Sequence, residues 1–98
     1  MKQPDEVRQE REEAWIGDAV LALFARRWIL DHAGHMDHGM FAALTSNQFL
    51  STFGRPTAVE ARIGRSYQEG GLAAAFALIE TEVLPKFQAQ EKNRRRGK

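Results

Sequence analysis

Residues 14–25 are the stretch that most constrains the fold, because they are apolar around the whole circumference of a helix except at Asp18. A helix that is hydrophobic on every side belongs inside a protein core. An ionised carboxylate in such a place is strongly penalised unless it is paired, hydrogen-bonded or bound to a metal. Asp18 therefore predicts a partner that comes from another part of the chain.

Two glycines indicate where that partner lies. Glycine inside a helix costs about 1 kcal/mol relative to alanine and commonly marks a close helix contact. Gly17 precedes Asp18, and Gly64 lies one turn after Glu60, so a close crossing at the two glycines would bring the two carboxylates together. Like charges at that distance raise one pKa or hold a divalent cation. Mg²⁺ is the first candidate because it prefers oxygen ligands, and Mn²⁺ is a substitute.

Simpler interpretations of the same residues remain open. A buried salt bridge to Arg62 or Arg65 would also compensate Asp18. Thr57 and Glu60 have the spacing of a capping box, in which Glu60 only returns a hydrogen bond to the backbone. On pattern alone, the cap is the better explanation of Glu60. The two glycines could also serve packing without any active site.

The remaining periodicity predicts an all-α chain, since no segment alternates like a half-buried strand. The first helix is expected from Asp5 to His32, with Gly34 as its C-terminal cap. Shorter helical pieces follow as far as Gly54. They are broken near Thr45, where Thr45-x-x-Gln48 has the form of a capping box.

The second half of the chain is punctuated by proline and glycine. A third helix opens at Pro56 and Thr57 and stops at Gly70 and Gly71, a pair that readily supplies positive φ. A fourth begins at Leu72, and Pro85 should end or kink it after Leu84. We expect one compact domain over residues 1–87 and a frayed basic tail over residues 88–98.

Composition narrows the class of protein. At 98 residues, 43% hydrophobic and 28% charged, the chain has the balance of an ordinary globular domain. It contains no cysteine, which excludes disulfides and thiolate zinc sites and fits a reducing cytoplasm. Residues 1–6 open no apolar stretch, so neither a signal peptide nor a membrane anchor is expected. We expect no membrane partner and no small-molecule cofactor.

A histidine cluster offers a second candidate metal site. His32, His35 and His38 are interspersed with Asp31 and Asp37 around Gly34, and imidazoles are good zinc ligands. A surface turn that binds nothing is the simpler explanation, because a loop does not guarantee ligand geometry.

Two motifs, in order, resemble the ribonuclease III family. Residues 13–21, E-A-W-I-G-D-A-V-L, resemble the signature E-R-L-E-F-L-G-D-A-V-L, and residues 57–67, T-A-V-E-A-R-I-G-R-S-Y, resemble D-A-x-E-A-L-I-G-A-I-Y. The match continues through residues 70–75 and covers most of the chain. The resemblance implies a compact ribonuclease III-type helical domain that forms a homodimer.

The departures from that family are specific. Asp18 and Glu60 match two of its four metal-site or catalytic carboxylates. The two family motifs together contain five acids, and Arg11, Ala14 and Thr57 stand at the other three of these positions. The reduced set resembles Mini-ribonuclease III, whose motifs read A-Y-I-G-D-A-V and T-A-F-E-A-L-I-G. The segment between the motifs is shorter here, and in the family that segment helps to grip RNA.

The resemblance implies a Mg²⁺-dependent endoribonuclease that cuts double-stranded, structured ribosomal RNA, with Asp18 and Glu60 as catalytic metal ligands. Trp15 occupies the position of the family's dimer-contacting aromatic, and an ordinary core tryptophan is the equal alternative. A catalytically weak or inactive RNA-binding relative is the rival function. A helical interaction module, whose dimer surface is its function, is a third.

RNA contacts would have to come from inside this domain, through shape, phosphates and 2′-hydroxyls. Two groups of residues are candidates. The first is a polar cluster that also has the form of a helix start: Thr45, Ser46, Asn47 and Gln48. The second is the basic C-terminal segment, which could equally be a solvated tail: Lys92, Arg94, Arg95, Arg96 and Lys98.

Overall fold

The computed structural model describes residues 3–96, with the side chains of residues 3–93. Every regular element in that part of the chain is helical, which confirms the all-α prediction. The elements, in chain order, are α1 (Pro4–Ala33), α2 (His38–Thr45), α3 (Asn47–Leu50), α4 (Pro56–Leu78), a π-helical turn (Ile79–Val83) and α5 (Leu84–Arg96).

Helix α1 has the ends that its sequence predicts, to within about one residue. Pro4 stands in its first turn, where a missing N–H costs no hydrogen bond. At the other end Gly34 adopts the left-handed conformation, with φ 79°, and its N–H donates to the carbonyl of Leu30 at 3.1 Å. This is the glycine cap that the sequence predicted.

Side-chain caps start the two short helices. Asp37 accepts from the backbone N–H of Met40 at 2.9 Å and begins α2. Ser46 accepts from the N–H of Phe49 at 3.0 Å and begins α3. The predicted cap at Thr45 is therefore wrong by one residue. Thr45 is the last residue of α2 and donates its hydroxyl to the carbonyl of Phe41 at 2.8 Å.

Helix α4 bends at Gly71, whose φ of 82° and ψ of −175° lie outside the helical region. Residues with a side chain rarely adopt this backbone conformation, so glycine is required there. The predicted stop at Gly70 and Gly71 and the restart at Leu72 are confirmed as a kink within one continuous helical segment.

Pro85 was predicted to end or kink the helix after Leu84, and the helix does not end there. Its missing N–H and its ring disrupt the preceding turn, and the chain accommodates it through the π-helical turn Ile79–Val83 and continues as α5. The tail predicted from residue 88 begins inside α5, which is helical as far as Arg96; that this segment frays stays a prediction. Gly97 and Lys98 lie outside the described residues.

The core forms where α1 is enclosed by α2, α3 and the two halves of α4 and their continuation into α5. Phe24 meets the edge of Phe76 with ring centroids 5.3 Å apart, and Trp28 meets Phe87 at 6.0 Å. Phe87 is 2% exposed, so the first turns of α5 belong to the same core as the predicted domain. No helix within residues 3–96 is long and apolar enough to cross a membrane.

Candidate functional site

The backbones of α1 and α4 touch at Gly17 and Gly64. A Cβ atom added to Gly17 would overlap the carbonyl oxygen of Glu60, and one added to Gly64 would overlap the carbonyl oxygen of Glu13. Both partners are backbone atoms, which cannot move aside as a flexible side chain can. The close crossing that the two glycines predicted is confirmed, and only glycine fits at either position.

This crossing brings the carboxyl groups of Asp18 and Glu60 within hydrogen-bonding reach of one another. Glu60 is half-buried and Asp18 is exposed. Burial, the hydrogen bond to Asp18 and the charge of Asp18, in that order, raise the pKa of Glu60 from 4.5 to about 7. The two acids that the sequence predicted to meet therefore do meet, and Glu60 keeps its proton up to near neutral pH.

Asp18 does not lie in the core, which corrects the premise from which its partner was inferred. It is exposed, together with Trp15 and Ala19 on the same side of α1. The core covers the side opposite Ala19, through residues such as Leu21 and Phe24, and Asp18 lies at its edge. The apolar circumference of residues 14–25 thus reflects one buried face and one face that this chain leaves uncovered.

The two arginines considered as partners of Asp18 pair with other acids. Arg62 forms an ion pair with Glu82 in the π-helical turn. Arg65 donates from Nε and Nη2 to Glu13, at 3.4 and 3.1 Å. The structure therefore does not contain the predicted alternative, a buried salt bridge that would account for Asp18.

The capping-box alternative for Glu60 is also absent. Helix α4 starts one residue before the predicted cap, with Arg55 as its N-cap, Pro56 in its first turn and no side-chain hydrogen bond at the cap. Thr57 lies inside the helix instead of before it. Burial and the neighbouring Asp18 raise the pKa of Glu60. Both causes indicate that its carboxyl group faces α1 rather than the N-terminus of α4.

Glu13 is a residue of the site that sequence reasoning missed. It is 7% exposed, the one charged residue reported as buried within the described part of the chain, and Arg65 grips it from α4. The hydrogen bonds to Glu13 and then the charge of Glu13 raise the pKa of Arg65. A usable signal existed: Glu13 precedes Gly17 by one turn and Arg65 follows Gly64, so both flank the predicted crossing.

The donor set fits one hard divalent cation. A carboxyl group that holds its proton up to near neutral pH, as Glu60 does, can exchange that proton for a metal ion. Mg²⁺ commonly takes one or two carboxylates and keeps several waters. Asp18 and Glu60 are the residues that would hold it. Within residues 3–93 no group of three or more histidine, aspartate or glutamate side chains could hold a metal.

Trp15 lies on the uncovered face of α1 and is 79% exposed, so it is not the core tryptophan that was the alternative. Leu23 and Leu30 continue the face along the helix, at 41% and 49% exposure. We call Trp15, Ala19, Leu23 and Leu30 the α1 face. A row of this kind on one helix is typical of a surface that another chain covers.

The residues predicted to contact RNA meet different outcomes. The hydroxyls of Thr45 and Ser46 are used in hydrogen bonds at the ends of α2 and α3. Asn47, Gln48 and Lys92 are exposed. The backbone of Arg94, Arg95 and Arg96 continues α5, while their side chains, and the whole of Lys98, lie outside the described residues.

The predicted histidine site does not assemble in the described chain. His32 Nδ1 bonds to the carbonyl of Trp28 at 3.0 Å, and His35 Nδ1 bonds to the carbonyl of Met36 at 2.8 Å. Asp37 is occupied as the cap of α2. No metal-ligating group of three or more forms among these residues, and the surface-turn interpretation accounts for their positions.

No protein-family model, no curated protein and no solved structure matches this chain.

Proposed function

We propose that this protein is a Mg²⁺-dependent endoribonuclease that cuts double-stranded RNA, acting as a homodimer of ribonuclease III type. The observation that carries the proposal is the Asp18–Glu60 pair, held at an accessible surface by the Gly17–Gly64 crossing. Two acids pressed together cost folding free energy, so their retention beside two required glycines is best explained by a function. Structured ribosomal RNA in the cytoplasm is the proposed substrate and setting.

The chemistry of the pair suits phosphodiester cleavage. A bound Mg²⁺ or Mn²⁺ would lower the pKa of a water molecule and neutralise charge on a phosphate. The chain's own contribution is to hold Asp18 and Glu60 at a fixed separation through the glycine crossing. Because Asp18 is exposed, a polyanion as wide as a duplex can reach the pair without entering a pocket.

The homodimer is supported by the α1 face. Trp15 and Asp18 are three residues apart and share one side of the helix. A second copy that covers Trp15 would therefore stand next to the carboxylate pair. The domain is also small, and burial of this face would supply stability that a single core of its size lacks.

RNA as the substrate rests on the motif resemblance together with the charge pattern. Five of the last seven residues are lysine or arginine, which favours a polyanionic partner. The rival function, an RNA-binding relative without catalysis, is favoured by one observation: the site offers two carboxylates instead of the four of full ribonuclease III enzymes.

A cleavage assay with Mg²⁺ and with Mn²⁺ tests the proposal. Asp18→Asn and Glu60→Gln should reduce cutting of duplex RNA by at least about 100-fold. Loss of a residue that only supports a metal ligand already costs about 10- to 100-fold, and loss of the ligand itself should cost more. Binding of RNA and dimerisation should be retained. Asp31→Asn is the matched control, since Asp31 is an exposed acid on the same helix. If the unmutated protein bound the duplex without cutting it, the rival function, RNA binding without catalysis, would replace the proposed endoribonuclease.

A further inference from the structure

A cleft lies near the C-terminal end of α1, between that helix, α2 and α5. Its volume is about 530 Å³, and its lining includes Trp28, His32, Met40, Gln88 and Lys92. His32 is fourteen residues beyond Asp18, so the cleft is roughly 20 Å along α1 from the carboxylate pair. It is therefore a separate site that the proposed catalytic chemistry does not use.

The floor of the cleft is a rigid aromatic platform. The rings of Trp28 and His32 are stacked, with centroids 4.3 Å apart and planes at 28°. The bond from His32 Nδ1 to the carbonyl of Trp28 fixes the imidazole ring, and Phe87 supports Trp28 edge-on from the core. Trp28 is half-buried while His32 is exposed, so the stack ends in an imidazole that is accessible from solvent.

Charge next to this platform favours an anionic ligand. Lys92 lines the cleft on α5, and the backbone of α5 continues beyond it through Arg94, Arg95 and Arg96. One acid, Glu91, also lines the wall. A ligand with a flat ring and attached phosphates would match the platform and the cations together, whereas a purely aliphatic ligand would use neither.

We propose that this cleft holds an unpaired nucleobase of the RNA, stacked on His32, with its phosphates next to Lys92 on α5. The volume lies within the 300–1,000 Å³ common for small-ligand clefts, and bases bind aromatic platforms through stacking whatever their sequence. This inference rests on the proposed function, because it names the form of RNA preferred: a duplex with unpaired nucleotides rather than a blunt one.

Two RNA duplexes test the proposal, one blunt and one with an unpaired 2-aminopurine nucleotide at an end. Stacking of one base contributes about 1–3 kcal/mol, so the extended duplex should bind about 5- to 150-fold more tightly, measured by fluorescence anisotropy. Stacking should also quench the 2-aminopurine emission. Both effects should be lost in His32→Ala and kept in His32→Phe, which preserves a flat ring.

His35→Ala is the matched control, because His35 is an exposed histidine of the adjacent turn that does not line the cleft. It should behave as the unmutated protein. Lys92→Gln should weaken both duplexes and reduce the salt dependence of binding, as the loss of a phosphate contact does. Circular dichroism should show that all four variants remain folded.

Equal affinity for the two duplexes, or unchanged quenching in His32→Ala, would overturn the cleft proposal while leaving cleavage of duplex RNA intact. Failure of the unmutated protein to bind either duplex would overturn the proposed function as well. The Asp18→Asn variant distinguishes the cleft proposal from the proposed cleavage activity in the opposite way. It should lose cleavage and keep the full quenching, since Asp18 lies outside the cleft.

Discussion

Gly17 and Gly64 each occupy a position where the backbone of the opposite helix leaves no room for a methyl group. The contact is reciprocal: Gly17 abuts the carbonyl of Glu60, and Gly64 abuts the carbonyl of Glu13. Because Asp18 follows Gly17 directly, the distance between α1 and α4 at this point also sets the separation of Asp18 and Glu60. Packing and chemistry therefore depend on the same two residues.

Substitution of either glycine should be strongly destabilising. In most helix interiors Gly→Ala gains up to about 1 kcal/mol. At Gly17 and Gly64 the added carbon would overlap backbone atoms, and overpacking of this kind commonly costs about 1–3 kcal/mol or more. Gly17→Ala and Gly64→Ala should each lower the free energy of unfolding by at least about 2 kcal/mol, measured by urea denaturation.

Gly39→Ala is the matched control within α2. A Cβ atom there would lie 3.5 Å from the Asp37 carboxylate, an ordinary contact, so this variant should be neutral or slightly stabilising. If Gly17→Ala were as stable as Gly39→Ala, the helices would have to separate easily, and the crossing could not define the carboxylate geometry.

The crossing could be predicted from sequence because its cause is local: a helical glycine is rare enough to require a reason, and spacing places the neighbouring acid on a known face. The exposed side of α1 could not be predicted in this way. The sequence pattern shows that residues 14–25 are apolar on all sides of the helix. It does not show whether the side away from the core is covered by the same chain or by another.

Two further features depend on distant side chains. The Glu13–Arg65 pair joins residues 52 positions apart, and Glu13 alone resembles one more acid in an acidic N-terminal segment. The Trp28–His32 platform has the helical spacing of four residues, but only the packing of α5 against α1 shows that a cleft lies beside it. The π-helical turn before Pro85 likewise reflects a balance between a broken hydrogen bond and core packing that sequence cannot weigh.

Glu60 should make the metal-free protein less stable as the pH rises. Its pKa is about 7 when folded and 4.5 ordinarily. Below about pH 4 both states hold the proton, so Glu60 has no effect on stability. Above pH 4.5 the unfolded chain ionises first, which favours unfolding until the folded group also ionises near pH 7. Glu60→Gln should therefore be more stable at pH 8 and unchanged at pH 4.

The expected gain at pH 8 is about 1–2 kcal/mol once the partial exposure of Glu60 is allowed for. Thermal unfolding in EDTA at the two pH values measures it. Glu12→Gln is the control, since Glu12 is an exposed acid of α1. A gain of equal size at pH 4 would show that the effect is not one of ionisation.

Binding of Mn²⁺ should depend on pH in the opposite direction. The proton on Glu60 must leave before a cation is held by both carboxylates, so apparent affinity should rise up to about tenfold per unit below pH 7 and level off above it. Titration followed by electron paramagnetic resonance measures free Mn²⁺ directly. Asp18→Asn should bind weakly at every pH, and a flat profile for the unmutated protein would contradict a metal site that includes Glu60.

Arg65 should contribute more to stability than Arg62, although both form ion pairs from α4. The partner of Arg65 is Glu13, whose side chain is 9% exposed, whereas Glu82, the partner of Arg62, is 42% exposed. Arg65→Gln leaves a buried carboxylate without its main donor and should cost about 1–2 kcal/mol. Arg62→Gln removes a surface pair and should cost under about 1 kcal/mol. Urea denaturation measures the free energy of unfolding of both variants. Equal losses in Arg65→Gln and Arg62→Gln would contradict the prediction.

Trp15 should determine the oligomeric state and not the stability of the monomer. Its side chain is 79% exposed in the single chain, so Trp15→Lys removes no internal packing. In the homodimer the same change buries a charge in an apolar contact, and it should shift the protein to monomer in analytical ultracentrifugation. Phe53→Ala, at an aromatic residue that is 36% exposed away from the α1 face, should leave the dimer intact. A Trp15→Lys protein that remained dimeric would show that the two copies associate through another surface.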